Sequence, residues 1–186
     1  MSWQRIELAD VSASRWRNGG GETRELLAWP SADDWIWRMS VAEVAASGPF
    51  SRFEGVQRWF AVLQGAGVRL QVDESEHTLT SASAPFCFDG ASATQCQLLS
   101  GATQDFNLMI RQQQTTAQMS RVSADLRFLT SRPSFIAVYS IDGETRVRCQ
   151  QESVPVPARS LIWQSLPAGV ELEISTSNAL WMEIIR

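Results

Sequence analysis

Arg58 is the residue with the clearest capacity for chemistry in this sequence. It stands in a segment that runs from Gly48 through a polar loop into an apolar stretch ending at Gly65. An arginine facing the interior of a β-structure favours an anion, because its planar guanidinium can bond to both oxygens of a carboxylate. The alternative is an ion pair between Arg58 and Glu54 at the mouth of the strand.

A second polar cluster lies in the segment Gln-Asp-Phe-Asn-Leu-Met-Ile-Arg, which ends at Arg111. Strand alternation places Asp105 and Asn107 on one face, with Met109 and Arg111, and apolar residues on the other face. This polar face either meets water or lines an interior. In the second case, Asn107 and Asp105 would hydrogen-bond to a bound polar group.

Two further residues are candidates for the edge of the pocket. Arg38 shares one strand face with Ser40 and either lines the pocket or is solvated. Asn18 precedes three consecutive glycines, Gly19–Gly21. These glycines do not fit the phosphate-binding patterns and instead predict positive φ or a close backbone approach before a strand.

The composition excludes several classes of function. All 16 basic residues are arginine, so Schiff-base and P-loop lysine chemistry are excluded. One histidine, His77, and three widely spaced cysteines predict no metal site and no cofactor. A net charge of −4 without charge blocks argues against nucleic-acid and membrane partners. The free thiols and the absence of a signal-peptide pattern indicate a cytoplasmic protein.

Short apolar runs with period-2 alternation predict an all-β protein, either a sandwich or a barrel. Helical character is visible only around Val41–Ala46. The predicted strands are Thr23–Ala28, Trp35–Ala42, Trp59–Leu63, Val68–Val72, Ala84–Phe88, Gln95–Leu99, Phe106–Arg111, Phe135–Ile141, Thr145–Cys149, Leu161–Gln164, Val170–Ser175 and Leu180–Ile185.

An internal repeat indicates two copies of one β unit. Phe60–Val72 aligns with Ile136–Cys149, and Ser100–Arg111 aligns with Ser175–Arg186. We therefore expect a first unit at residues 1–115, which carries the pocket, and a second, degenerate unit at 116–186. The second copy lacks the polar positions of the first, so we interpret it as the structural half.

The segment Gly48–Gly65 resembles the first motif of cupin barrels, G-x5-H-x-H-x3,4-E-x6-G. In that motif two histidines and a glutamate bind a metal. Here Arg58 stands at the glutamate position, and Ser51 and Phe53 stand near the histidine positions. The resemblance therefore implies a cupin-like interior whose charge has changed sign, with no metal bound.

A broader resemblance is to the HutD/Ves family. It is carried by W-R-N-G-G-G-E-T-R-E, W-R-M-S-V-A, G-P-F-S-R-F-E-G-V-Q-R and D-F-N-L-M-I-R, between Trp16 and Arg111. It implies a double cupin-like β-barrel or jelly roll (a bicupin) in one chain, in the bacterial cytoplasm. HutD members are associated with histidine utilisation and are thought to bind a small pathway acid and restrain the system; Ves members are tied to stress response. The motif positions are Trp16, Asn18, Gly19, Gly21, Thr23, Glu25, Arg38, Ser40, Gly48, Phe50, Ser51, Phe53, Gly55, Arg58, Gly65, Asp105, Asn107 and Arg111.

Three functions remain open at this point. The leading hypothesis is a non-enzymatic, regulatory binder of a small carboxylate such as urocanate or formylglutamate. The second is an enzyme on the same pathway, with Asp105 or Glu54 as general base and Arg58 anchoring the substrate. The third is a protein–protein adaptor. Exposed edge strands would be compatible with a homodimer.

Overall fold

The computed structural model describes residues 2–185, which fold almost entirely into antiparallel β-strands. This confirms the all-β prediction. The first half contains β1 (Gln4–Glu7), β2 (Ser14–Arg15), β3 (Gly21–Trp29), β4 (Trp37–Val44), β5 (Gly48–Pro49), β6 (Val56–Gln64), β7 (Val68–Val72), β8 (Ser75–Leu79), β9 (Phe86–Asp89), β10 (Thr94–Leu98) and β11 (Thr103–Arg111). The second half contains β12 (Thr116–Val122), β13 (Leu126–Leu129), β14 (Ser134–Ser140), β15 (Thr145–Cys149), β16 (Glu152–Val156), β17 (Ser160–Leu166), β18 (Glu171–Thr176) and β19 (Ala179–Ile185).

The chain divides into two compact units. The motif unit is Val11–Gln114, and the second unit combines residues 2–10 with residues 115–185. The division after residue 114 lies next to the expected boundary. The first residues differ from the expectation, because β1 pairs with β17 and so extends a sheet of the second unit.

Each unit consists of two open sheets, and no closed barrel forms among residues 2–185. The motif unit has a six-stranded sheet, β2-β3-β4-β11-β6-β9, and a four-stranded sheet, β5-β10-β7-β8. The expected barrel closure is therefore wrong. End strands such as β2 and β5 are two residues long, which is too short to join one sheet to the other by a continuous hydrogen-bond ladder.

The core of the motif unit lies between its two sheets. Phe60 and Val62 of β6 pack in one cluster with Val68 and Leu70 of β7. The alternation of apolar and polar residues that predicted these strands thus places one face of each strand in this core. The residues around Val41–Ala46 belong mostly to β4, so the short stretch of helical character in the sequence forms no helix.

The second unit repeats the strand order of the motif unit. Its five-stranded sheet is β1-β17-β14-β19-β12, and its four-stranded sheet is β13-β18-β15-β16. The order β12-β19-β14-β17 corresponds to β4-β11-β6-β9, and β13-β18-β15-β16 corresponds to β5-β10-β7-β8. The repeat seen in the sequence is therefore present in the strand topology. Among residues 2–185, no helix is long and apolar enough to cross a membrane.

The glycines before β3 have the backbone roles that the sequence predicts. Gly19 has a φ of 71°, in the left-handed region. Gly21 lies so close to β4 that an added Cβ would collide with the carbonyl oxygen of Glu43 and lie 3.2 Å from the Trp16 ring. Two different requirements, a positive φ and a close approach, therefore explain two of the three consecutive glycines.

Gly21→Ala is expected to lower the free energy of unfolding by about 1–3 kcal/mol, because the methyl group meets fixed backbone and an aromatic ring. Urea denaturation would measure the change. Gly20→Ala is the matched control, since its Cβ would meet the flexible Asn18 side chain at 3.3 Å. Equal effects of the two substitutions would contradict the close-approach role of Gly21.

Candidate functional site

Three adjacent strands of the motif unit bring the candidate polar residues onto one face of the six-stranded sheet. On β11, Met109 stands opposite Arg38 of β4 and Arg58 of β6. Asn107 stands opposite Ser40 and Phe60 in the same way. Phe60 belongs to the core between the sheets, so this polar face points inward. The solvated alternative for Asn107 is wrong.

The Arg58 side chain is the centre of this face and is only 7% exposed. One terminal nitrogen donates to Asn107 Oδ1 at 3.2 Å, and the other donates to the carbonyl oxygen of Ser51 at 3.4 Å. Ser51 therefore contributes its backbone, whereas its side chain belongs to an exposed residue. The Nε atom of Arg58 is buried without a hydrogen-bond partner.

Aromatic rings surround the Arg58 guanidinium. Its central carbon lies 5.1 Å from the ring centroids of Phe50 and Phe88 and 5.8 Å from that of Phe53. Such contacts stabilise a cation through the ring quadrupole. The N–H groups of a guanidinium point outward in its plane and are the groups that can bond to an anion.

Arg58 carries a charge that no carboxylate among the described residues balances. No ion pair joins it to a carboxylate within residues 2–185. Burial, together with the neighbouring charge of Arg38, lowers the pKa of Arg58 to about 10. The alternative pairing with Glu54 is not formed in the described structure, and Glu54 is exposed.

Arg38 is the second cation of this face and is only partly buried. It lies 3.8 Å from a carboxylate oxygen of Glu25 and donates to the sulfur of Met109 at 3.4 Å. Burial lowers the pKa of Arg38, and the charge of Glu25 partly opposes this effect. The Phe53 ring, 5.3 Å from the Arg38 guanidinium, contacts both arginines.

Trp35 is a site residue that the sequence analysis did not single out. Its ring lies 4.6 Å from the Arg38 guanidinium and 5.3 Å from that of Arg111. Arg111 also donates from Nε to the carbonyl oxygen of Trp35 at 2.7 Å, which fixes the loop between β3 and β4. The alternation of β11 predicted the face of Arg111, but nothing local in the sequence indicates this long-range partner.

Asp105 lies on the same inner face but in a different environment. It stands opposite Ala42 and Val62 and is completely buried. Its Oδ2 accepts a hydrogen bond from Thr103 Oγ1 at 2.7 Å, and its Oδ1 has no partner in the described structure. Burial raises the pKa of Asp105 to about 7. Asp105 is therefore a buried, half-satisfied carboxyl group rather than a counter-ion for Arg58.

Asn18 is exposed, in the turn before β3, where its Oδ1 accepts a hydrogen bond from the Gly20 amide at 3.0 Å. It lines a cavity of about 250 Å³ with Trp16 and Phe50. Phe50 also contacts the Arg58 guanidinium. Phe50 thus lies between the Asn18 cavity and Arg58, and no hydrogen bond joins Asn18 to Arg58 in the described structure.

The second unit has a different polar cluster at the corresponding place, which the sequence analysis missed. Glu183 stands opposite Gln118 and Ile136, as Asn107 stands opposite Ser40 and Phe60. The Glu183 carboxylate accepts hydrogen bonds from Ser134 Oγ and Gln118 Nε2, both at 2.7 Å. The repeat thus carries a glutamate with two hydrogen-bond donors of its own where the motif unit carries Asn107.

The donor set around Arg58 does not fit the metal of the cupin motif. The metal of that motif is held by two imidazoles and a carboxylate, and none of these stands at the matching positions here. Two guanidinium groups occupy this region instead, and they would repel it. No group of three or more His, Cys, Asp or Glu side chains arranged to hold a metal occurs within residues 2–185.

Comparison with solved structures supports a cupin-like fold. The chain matches HutD from Pseudomonas fluorescens with a TM-score of 0.85 and 29% identity, covering 98% of both chains. It also matches a mutant oxalate decarboxylase from Bacillus subtilis, with a TM-score of 0.64 and 8% identity over 97% of this chain and 76% of that one. The second likeness concerns the fold alone.

Comparison with known sequences gives the family. Protein Ves of Escherichia fergusonii is 33% identical over 96% of this chain and 92% of that protein. An uncharacterised 21.2 kDa protein from the hutC 3′ region of Pseudomonas putida is 37% identical over 69% of this chain and 68% of that protein. The HutD family profile matches residues 8–182. The chain therefore belongs to the HutD family.

Proposed function

We propose that this protein binds a small carboxylate at Arg58, without a metal, and acts as a cytoplasmic accessory or regulatory protein of histidine utilisation. The observation that carries the proposal is the buried Arg58 guanidinium, which lies near a second arginine and has no carboxylate partner in residues 2–185. A buried charge without a counter-ion is costly. A bound carboxylate would supply both the missing charge and in-plane hydrogen-bond acceptors.

Membership in the HutD family supports the link to histidine utilisation. Urocanate and formylglutamate, small acids of that pathway, are the candidate ligands, because each carries a carboxylate that a guanidinium can bind. Formate, named with the Pseudomonas fluorescens HutD structure, is the smallest carboxylate to test. The shared strand order of the two units supports a bicupin arrangement in which the motif unit binds the ligand and the second unit is structural.

An enzyme of the same pathway is the second candidate, and one observation favours it. A pKa of about 7 at Asp105 is suited to a general base. However, the Asp105 carboxyl group is completely buried and bonded to Thr103, and Glu54 is exposed and unpaired with Arg58. Neither carboxylate stands beside the proposed anchor, so the binding function is the better supported.

Thermal unfolding with urocanate, formylglutamate, glutamate and formate tests the proposal. At about 100 times its dissociation constant, a ligand adds about 2.7 kcal/mol to stability. For a chain of this size, the expected rise in the midpoint is about 5–10 °C. We expect at least one of these acids to produce such a rise with the wild-type protein and none to do so with Arg58→Gln.

Arg69→Gln is the matched control, because Arg69 is a surface arginine of the same unit that pairs with Glu76. It should retain the full response. A response that survives in Arg58→Gln would show that the acid binds elsewhere and would contradict the proposal. Conversion of an acid to a product by trace amounts of protein would favour the enzyme instead.

A further inference from the structure

Glu25 is the carboxylate that pairs with Arg38, one of the two arginines on the inner face of the motif unit. Its Oε2 lies 3.8 Å from Arg38, whereas Arg58 has no such partner within residues 2–185. Glu25 and Arg38 are both accessible to solvent, with side-chain exposures of 37% and 25%. Glu25 therefore stands on the solvent side of the buried Arg58 charge.

A bulge in β3 places Glu25 at this position. Glu25 stands opposite Ser40, and Leu27 stands opposite Met39, so β3 has one extra residue, Leu26, at this point. Bulges change the direction of a side chain and are common next to functional sites. Because of this bulge, Ala28 rather than Leu27 stands opposite Arg38.

The two arginines differ in charge balance: Arg38 has a carboxylate partner in Glu25, and Arg58 has none within residues 2–185. Glu25 opposes the lowering of the Arg38 pKa, whereas the charge of Arg38 adds to the lowering of the Arg58 pKa. One ligand carboxylate at Arg58 would neutralise the remaining positive charge of the two arginines and Glu25. A second carboxylate close to Arg38 would meet the negative charge of Glu25.

We propose that Glu25 sets the charge of the ligand by disfavouring a second carboxylate beside Arg38. Resting on the proposed function, this inference makes Glu25 a specificity-determining residue of the same site. It does so through like-charge repulsion, the means by which binding sites reject wrong partners. The ligand class that suits the wild-type site is then a small acid with one carboxylate at Arg58 and a neutral group towards Arg38.

Isothermal titration of wild type and Glu25→Gln with urocanate, formate and formylglutamate tests this inference. The first two probes are monocarboxylates and the third is a dicarboxylate. Removing the Glu25 charge is expected to tighten formylglutamate binding by about tenfold and to change monocarboxylate binding by less than about threefold. Glu22→Gln is the matched control, because Glu22 is on the same strand but pairs with Arg24 at 2.9 Å.

Two kinds of failure can be separated. An equal change for all three acids in Glu25→Gln, or weaker binding of all three, would overturn the specificity role while Arg58-dependent binding persists. If none of the acids binds the wild-type protein, or if binding persists in Arg58→Gln, the proposed function itself fails. An effect of Glu22→Gln as large as that of Glu25→Gln would show general electrostatics and would also overturn the specificity role.

Discussion

Arg58→Met is expected to raise the thermal midpoint of the ligand-free protein by about 2–8 °C. The lowered pKa of Arg58, about 10, corresponds to a cost of about 3 kcal/mol for holding the buried charge at neutral pH. Methionine removes that charge and keeps an apolar chain against Phe50 and Phe88. The loss of two long hydrogen bonds, to Asn107 and Ser51, offsets part of the gain.

Differential scanning calorimetry without added acid would measure this change. Arg69→Met is the control for removing a surface arginine, and it should move the midpoint by less than about 2 °C. A lower midpoint for Arg58→Met would mean that Arg58 stabilises the fold. The charge would then have a structural explanation, and the case for a ligand would weaken.

Asp105→Asn is expected to make the protein more stable at pH 8, by about 4 kcal/mol at most, and to have little effect near pH 4. The pKa of Asp105 is raised by burial to about 7, so the folded state holds a proton that the unfolded state releases near pH 4. Stability therefore falls as the pH rises from about 4 to about 7, and the full cost is present above pH 7.

Urea denaturation at pH 4.5, 6 and 8 would reveal this dependence. The difference between Asp105→Asn and wild type should grow across that series. Asp33→Asn, which removes the charge of an exposed loop residue, is the control for a change of net charge. A difference that is constant with pH would show that Asp105 does not change its ionisation in this range.

The sequence predicts the strands that lie inside sheets much better than those at sheet ends. All twelve predicted strands overlap observed ones, and β7 and β15 have the predicted bounds. Seven of the eight end strands in the described topology were missed: β1, β2, β5, β8, β12, β13 and β16. End strands have only one neighbour and more solvent, so sequences such as Ser75–Leu79 need not alternate clearly.

In the candidate site, the features that depend on local alternation were predicted, and those that depend on contacts between distant parts of the chain were not. The alternation of β11 correctly placed Asp105 and Asn107 on one face, but alternation alone cannot say which face of a sheet is inside. The register with β6 settles this, because it places Asn107 opposite the core residue Phe60. Trp35 and the Glu183 cluster were missed because their partners come from distant parts of the chain.

The pairing of β1 with β17 has a consequence for biosynthesis. The strand Gln4–Glu7 leaves the ribosome before its partner, Ser160–Leu166, which is translated more than a hundred residues later. The intervening stretch, Val11–Gln114, already contains both strands of every pair in its own sheets. A nascent chain can therefore fold Val11–Gln114 first, while Gln4–Glu7 stays unpaired until Ser160–Leu166 has been made.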